Sequence, residues 1–140
     1  VRARRAKGTD IESKFDALYK HIKRGRIDMI QEYLAEGGDP NLRNGWTLLM
    51  VAAHFGNTPI LTLLLDHGAQ IDAGSGTEGL TPLAMAASQG KRKCVSVLLE
   101  RGANADVRPH GLLLDTYIQY CGGPYPQVEK LLNAWRTRGS

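Results

Sequence analysis

The chain has 140 residues, 42% hydrophobic and 23% charged, enough for one domain with a substantial core. No apolar run approaches the roughly 20 residues needed to cross a bilayer, so membrane insertion is not expected. The net charge of +4 is local: Arg2, Arg4, Arg5 and Lys7 precede the first acid, Asp10, and account for the whole excess of 18 basic over 14 acidic residues.

Residues 1–11 therefore read as a basic, flexible N-terminal arm, and residues 12–138 as one domain. The arm is suited to nucleic-acid phosphates or an acidic partner, or is simply a solvated end. Beyond it, Phe15, Leu18 and Ile22 form one apolar face among Lys14, Asp16, Lys20, His21 and Lys23, as expected of a helix closing one end of a stack. Gly25 precedes Met29, Ile30, Tyr33 and Leu34, and Gly37-Gly38-Asp39-Pro40-Asn41 ends that unit.

The next segment, Thr47-Leu-Leu-Met-Val-Ala-Ala-His-Phe-Gly56, is nearly repeated as Thr81-Pro-Leu-Ala-Met-Ala-Ala-Ser-Gln-Gly90, an offset of 34 residues. Leu64-Leu65 and Leu98-Leu99, Gly68-Ala69 and Gly102-Ala103, and Asp72 and Asp106 keep the same offset. Each copy predicts two short helices. A Thr hydroxyl caps the first, with Pro82 at the first helical position of the second copy, and Gly56 or Gly90 closes it. The second helix starts at Asn57 or Thr58 with Pro59 in one copy. It carries Ile60, Leu61, Leu64 and Leu65, and then Val95, Leu98 and Leu99, before the glycine stops at 68 and 102. The closing segment keeps Leu112-Leu113-Leu114 and Val128, Leu131 and Leu132, with Cys121-Gly-Gly-Pro-Tyr-Pro126 inserted between them. A fixed period in this range marks units that cannot bury their apolar faces without neighbours.

The Thr-Pro-Leu-Ala-Met-Ala-Ala-x-x-Gly segment and the Val-Leu-Leu-Glu-Arg-Gly-Ala-Asn-Ala-Asp ending resemble the ankyrin repeat over about residues 12–135. The family's His after Thr-Pro-Leu is replaced by Met50 and Ala84. The resemblance implies an all-α solenoid of stacked helix-turn-helix units with β-hairpin fingers, in modules of about 12–44, 45–78, 79–111 and 112–138. It also implies a non-enzymatic protein–protein interaction module, acting as adaptor, targeting factor, chaperone-like holder or inhibitor. The partner would be a segment or domain of another protein, bound by a chain that is monomeric alone. The alternative is nucleic-acid or acidic-partner association through the arm.

Catalytic chemistry is not expected. His21, His54, His67 and His110 have no metal-ligand spacing, and Gly74-Ser75-Gly76 lacks the strand and following Lys-Ser/Thr of a phosphate loop. Asp115 reads as a helix-start acid. Cys94 and Cys121 form no CxxC pair, so free thiols in a reducing compartment are expected, with no metal and no cofactor. That favours cytoplasm or nucleus; the basic start at Val1 leaves an organelle reached after removal of a targeting peptide as the alternative.

In ankyrin-like arrays the finger tips and the exposed side of each first helix line a concave face. Carried onto this chain, that implies Arg43, Asn44, Trp46, His54 and Phe55 around one first helix and Thr77, Glu78, Leu80, Met85, Ser88 and Gln89 around the next. Arg108, His110 and Leu112 follow in the last two modules. Trp46 and Phe55 would anchor a partner, because aromatic residues dominate the energetics of many interfaces. The competing expectation is that Trp46 only fills space beside a shortened finger at Asn41–Asn44.

Overall fold

The computed structural model describes residues 6–74 and 80–138. Their order is α1 (Ala6–Lys23), α2 (Ile27–Ala35), β1 (Arg43–Asn44), β2 (Trp46–Thr47), α3 (Leu48–Phe55), α4 (Thr58–Asp66), α5 (Pro82–Ser88), α6 (Arg92–Glu100), a 3-10 turn (Pro109–Gly111), α7 (Leu114–Tyr120) and α8 (Pro126–Arg138). α1 starts within the stretch expected as an arm. Arg2, Arg4 and Arg5 lie outside the described residues, as does the side chain of Lys7.

Helix starts follow the predicted chemistry. Thr47 Oγ1 accepts from the Met50 amide at 3.1 Å, and Thr81 Oγ1 from Ala84 at 3.3 Å. Asn57, not Thr58, caps α4, its Oδ1 accepting from Ile60 at 3.1 Å. Each cap satisfies an amide that the first turn leaves without a partner.

Helices of successive units stack in two rows. α1, α3, α5 and α7 form the inner row, while α2 packs on α4, α4 on α6 and α6 on α8. The inner row touches through small side chains: Ala52, Ala53, Ala86 and Ala87 have no exposed surface. Ile30, Ile60, Leu61, Leu64, Val95, Leu98 and Leu132 fill the layer between the rows. Met50 and Ala84, in the place of the family's His, are fully buried.

The all-α repeat architecture is thus as expected, but the fingers are not uniformly hairpins. β1 and β2 pair antiparallel, with Arg43 opposite Thr47, and are only two residues each. Residues 75–79 of the next finger lie outside the description, and the third connection carries the 3-10 turn instead.

Two side chains, making three hydrogen bonds, tie neighbouring units at the base of the fingers. Asn41 Oδ1 accepts from the Gln70 amide at 2.7 Å while its Nδ2 donates to the Gly68 carbonyl at 3.3 Å. One unit on, Asp72 Oδ1 accepts from the Asn104 amide at 3.1 Å. The 34-residue echo of Asp72 in Asp106 carried the signal for this pattern, although its role was not read from the sequence.

At the opposite edge, the turns between inner and outer helices also stack. A Cβ placed on Gly56 would meet Lys91 Cδ at 2.8 Å, and one placed on Gly90 would meet the Tyr125 ring at 2.7 Å. Both glycines have positive φ, 70° and 69°. A left-handed residue with a side chain costs roughly 1–2 kcal/mol. Gly90→Ala adds displacement of an aromatic ring to that cost, whereas Gly102→Ala, at φ 93°, meets nothing within 4 Å. Urea denaturation is expected to show Gly90→Ala as the more destabilising of the two, by about 1 kcal/mol or more. Equal losses would mean that the Tyr125 contact is dispensable.

Asn41→Ala removes both bonds at the first finger base and is expected to lower stability by about 1 kcal/mol, read from the urea midpoint. An unchanged midpoint would assign this join to apolar packing alone.

Candidate partner-binding surface

α3 is buried from Leu48 to Ala53 and emerges only at its end, where His54 and Phe55 are half-buried. Their rings meet edge to face at 4.8 Å and 87°. From the finger, Trp46 lies over His54 at 5.2 Å, tilted by 54°. From α1, Tyr19 meets Phe55 edge to face at 5.5 Å and 79°. Trp46, His54, Phe55 and Tyr19 thus form one continuous aromatic ribbon, each ring partly exposed and partly packed on the core. Such contacts are worth about 0.5–1.5 kcal/mol per pair beyond burial. Tyr19 was absent from the sequence-based set; its position four residues after Phe15 was the available signal.

The ribbon is also where an unsatisfied group sits. His54 Nδ1 is sealed from solvent without a hydrogen-bond partner. Burial, then the charge of Lys91, holds the His54 imidazole below its ordinary pKa, so the ring stays neutral around pH 7.

Other expected contact residues are placed differently. Arg43 is exposed, but its Nη2 donates to the carbonyls of Gly45 at 3.1 Å and Gly74 at 2.7 Å, which fastens one finger to the next. Asn44 is exposed beside it. Met85 and Ser88 are buried, at 5% and 2% exposure, and do not contribute a surface. α5 is enclosed by α3 and α7, and Ser88 Oγ donates back to the Met85 carbonyl at 3.0 Å. Leu80 and Gln89 remain half-exposed. Thr77 and Glu78 lie outside the described residues.

In the last two units His110 takes a left-handed conformation, φ 52°, with its ring 5.8 Å from Tyr117. Arg108 lines a 270 Å³ cleft with Asp106, Leu113 and the Asp115–Arg136 ion pair, which closes at 3.3 Å. Leu112 is half-buried; its neighbour Leu113 is the outward apolar residue, 56% exposed. Both cysteines are free: Cys94 is buried against Thr58 Oγ1 at 3.5 Å, and Cys121 is exposed. No helix among the described residues is long and apolar enough to cross a membrane.

Residues 18–109 match the model of the family described as ankyrin repeats, in three copies. The chain belongs to the ankyrin-repeat family. It is 33% identical over 128 residues to the mouse lemur (Microcebus murinus) protein named "Ankyrin repeat, SAM and basic leucine zipper domain-containing protein 1", covering 87% of this chain and 26% of the relative. The armadillo (Dasypus novemcinctus) protein of that name is 32% identical over 130 residues, 89% of this chain and 27% of its own. The Arabidopsis thaliana "ADP-ribosylation factor GTPase-activating protein AGD4" is 33% identical over 106 residues, 74% of this chain and 14% of its own. The chain therefore spans about a quarter of the first relatives it matches. Ankyrin repeats are generally protein–protein interaction modules and generally non-catalytic.

The depressed pKa of His54 fixes a sign. The unfolded chain takes up this proton at higher pH than the native state, so the contribution of His54 to stability falls as pH drops through the unfolded value of about 6.5. An NMR titration of the His54 ring is expected to give a midpoint below 6.5, and His54→Gln to flatten the stability profile between about pH 7 and 5. A midpoint at or above 6.5 would contradict the burial argument.

Proposed function

We propose that this ankyrin array is a non-enzymatic interaction module that captures a segment or domain of another protein on its finger and inner-helix face. The observation that carries the reading is the half-exposed aromatic ribbon of Trp46, His54, Phe55 and Tyr19. It offers rigid apolar surface at the end of a well-packed helix, so little ordering entropy is lost when a partner seats. Asn44, Leu80 and Gln89 supply a mixed rim, and Thr77 and Glu78 of the adjoining finger belong to the same proposed face. Arg108, His110 and Leu112 extend it toward the last unit.

The module serves as an adaptor, targeting, holding or inhibitory element, monomeric on its own and working in the cytoplasm or nucleus. The GTPase-activating function in one relative's name belongs to a protein of which this chain matches 14%. The arm at Arg2, Arg4, Arg5 and Lys7 supports the alternative of nucleic-acid or acidic-partner association on charge alone.

The test is capture with wild type beside Trp46→Ala and Phe55→Ala, followed by measuring the affinity of the recovered partner for all three. Truncation at the centre of an interface costs about 2 kcal/mol or more, so affinity is expected to fall tenfold or more. Both rings also pack on the core, so a fall of a few degrees in the thermal midpoint is expected alongside. Unchanged affinity with a larger thermal loss would make the ribbon a packing device.

A further inference from the structure

Two cations elsewhere on the stack are neutralised by an acid of another element. Arg101 pairs with Asp66 at 2.8 Å, and Arg136 with Asp115 at 3.3 Å. The start of α6 is different. Lys91, Arg92 and Lys93 are consecutive, Lys130 of α8 lies across a shared groove, and none of the four side chains pairs with a described residue. The groove between α6 and α8 has a volume of about 460 Å³, lined by Arg92, Gln127, Lys130, Leu131 and Ala134. A second recess of about 280 Å³ shares Arg92 and Gln127 with it and is bordered by Lys91 and Lys93. On the same turn edge, the first unit exposes Lys23, Arg24 and Arg26.

No acid stands among the residues lining this groove and its side recess, so the four like charges repel one another. The Lys91 stem also covers Gly56, and Glu100 borders the adjoining recess that shares Leu131 and Ala134. From this charge and shape we infer that the α6–α8 groove is a second docking surface, which takes an acidic segment of another protein carrying an apolar side chain. The carboxylates meet the cationic rim and the apolar side chain enters over Leu131 and Ala134. The recessed lining does not suit a flat bilayer. A single strand held by base stacking would need a free aromatic platform, and the aromatic residue at this turn, Tyr125, has its ring laid over Gly90. The proposal rests on the interaction-module reading, but its surface is separate from the aromatic ribbon.

The test uses fluorescence anisotropy of a labelled peptide of glutamate pairs alternating with leucine, its glutamine counterpart, and the full chain. Wild type is expected to bind the glutamate peptide at least tenfold more tightly than the glutamine one, and to lose that preference as NaCl rises from about 50 to about 500 mM. Arg92→Glu combined with Lys130→Glu is expected to weaken binding tenfold or more, while Trp46→Ala leaves it unchanged. Both substituted groove residues are exposed. Helicity by circular dichroism confirms folding, and Arg92→Gln with Lys130→Gln replaces the reversal if it misfolds. Binding that survives the groove substitutions overturns the proposal and moves the peptide to another basic part of the chain, such as the first-unit turn or the N-terminal arm. Loss with Trp46→Ala alone overturns it in favour of the ribbon. Groove-dependent binding of phosphatidylserine vesicles or single-stranded DNA, without binding of the peptide, overturns it in favour of those ligands.

Discussion

The contact on which everything else depends is the close approach of α3 to α5. Ala52, Ala53, Ala86 and Ala87 bring the two backbones together, and larger side chains there would push the units apart. Because that spacing is fixed, Asn41 and Asp72 reach the backbone of the next unit, and Lys91 and Tyr125 lie over the preceding glycines. A helix of eight or nine residues is marginal by itself in water. Here each one is held by the layer on either side, which makes stability a property of the joins rather than of the units.

Much of this was legible in the sequence because the repeat states it twice. Thr47 and Thr81 recur where an amide needs an acceptor, and the alanine pairs recur where backbones meet. What failed was the transfer of exposure from one copy to the next. His54-Phe55 and Ser88-Gln89 occupy equivalent places, yet Ser88 is buried and His54 is not. Both helices are flanked on two sides, so the difference lies in the residues. The small Ser88 folds back onto the Met85 carbonyl, and the inserted loop brings Tyr125 over Gly90, whereas the larger His54 ring emerges at the end of α3. A seven-residue helix that is buried all round gives no periodic stripe by which to tell its faces apart.

Long-range polar joins were the other omission. Arg43 reads as a finger-tip cation because no acid flanks it in sequence; of its two carbonyl acceptors, the one that joins the fingers, Gly74, is 31 residues away. Tyr19 likewise joins the ribbon only because α1 lies against α3. Both depend on the separation and rotation of units, which a period specifies only approximately. The α6–α8 groove is a third case: Lys130 and Arg92, 38 residues apart in sequence, line one groove only because α8 packs on α6.

The stacked turns separate two properties of the molecule that are usually entangled. Each of Gly25, Gly56 and Gly90 is approached from the following unit, by Asn57, Lys91 and Tyr125 respectively: an amide, a cation and an aromatic ring. The covered surface is bare backbone, so it makes no demand on the chemistry of its cover beyond an approximate size. As far as this cover goes, the identity of the side chain can change while the path of the chain stays the same; Asn57 is held in addition by its cap on α4. Lys91 and Tyr125 show the result: equivalent places on one rim carry a cation and a neutral ring over the same backbone path.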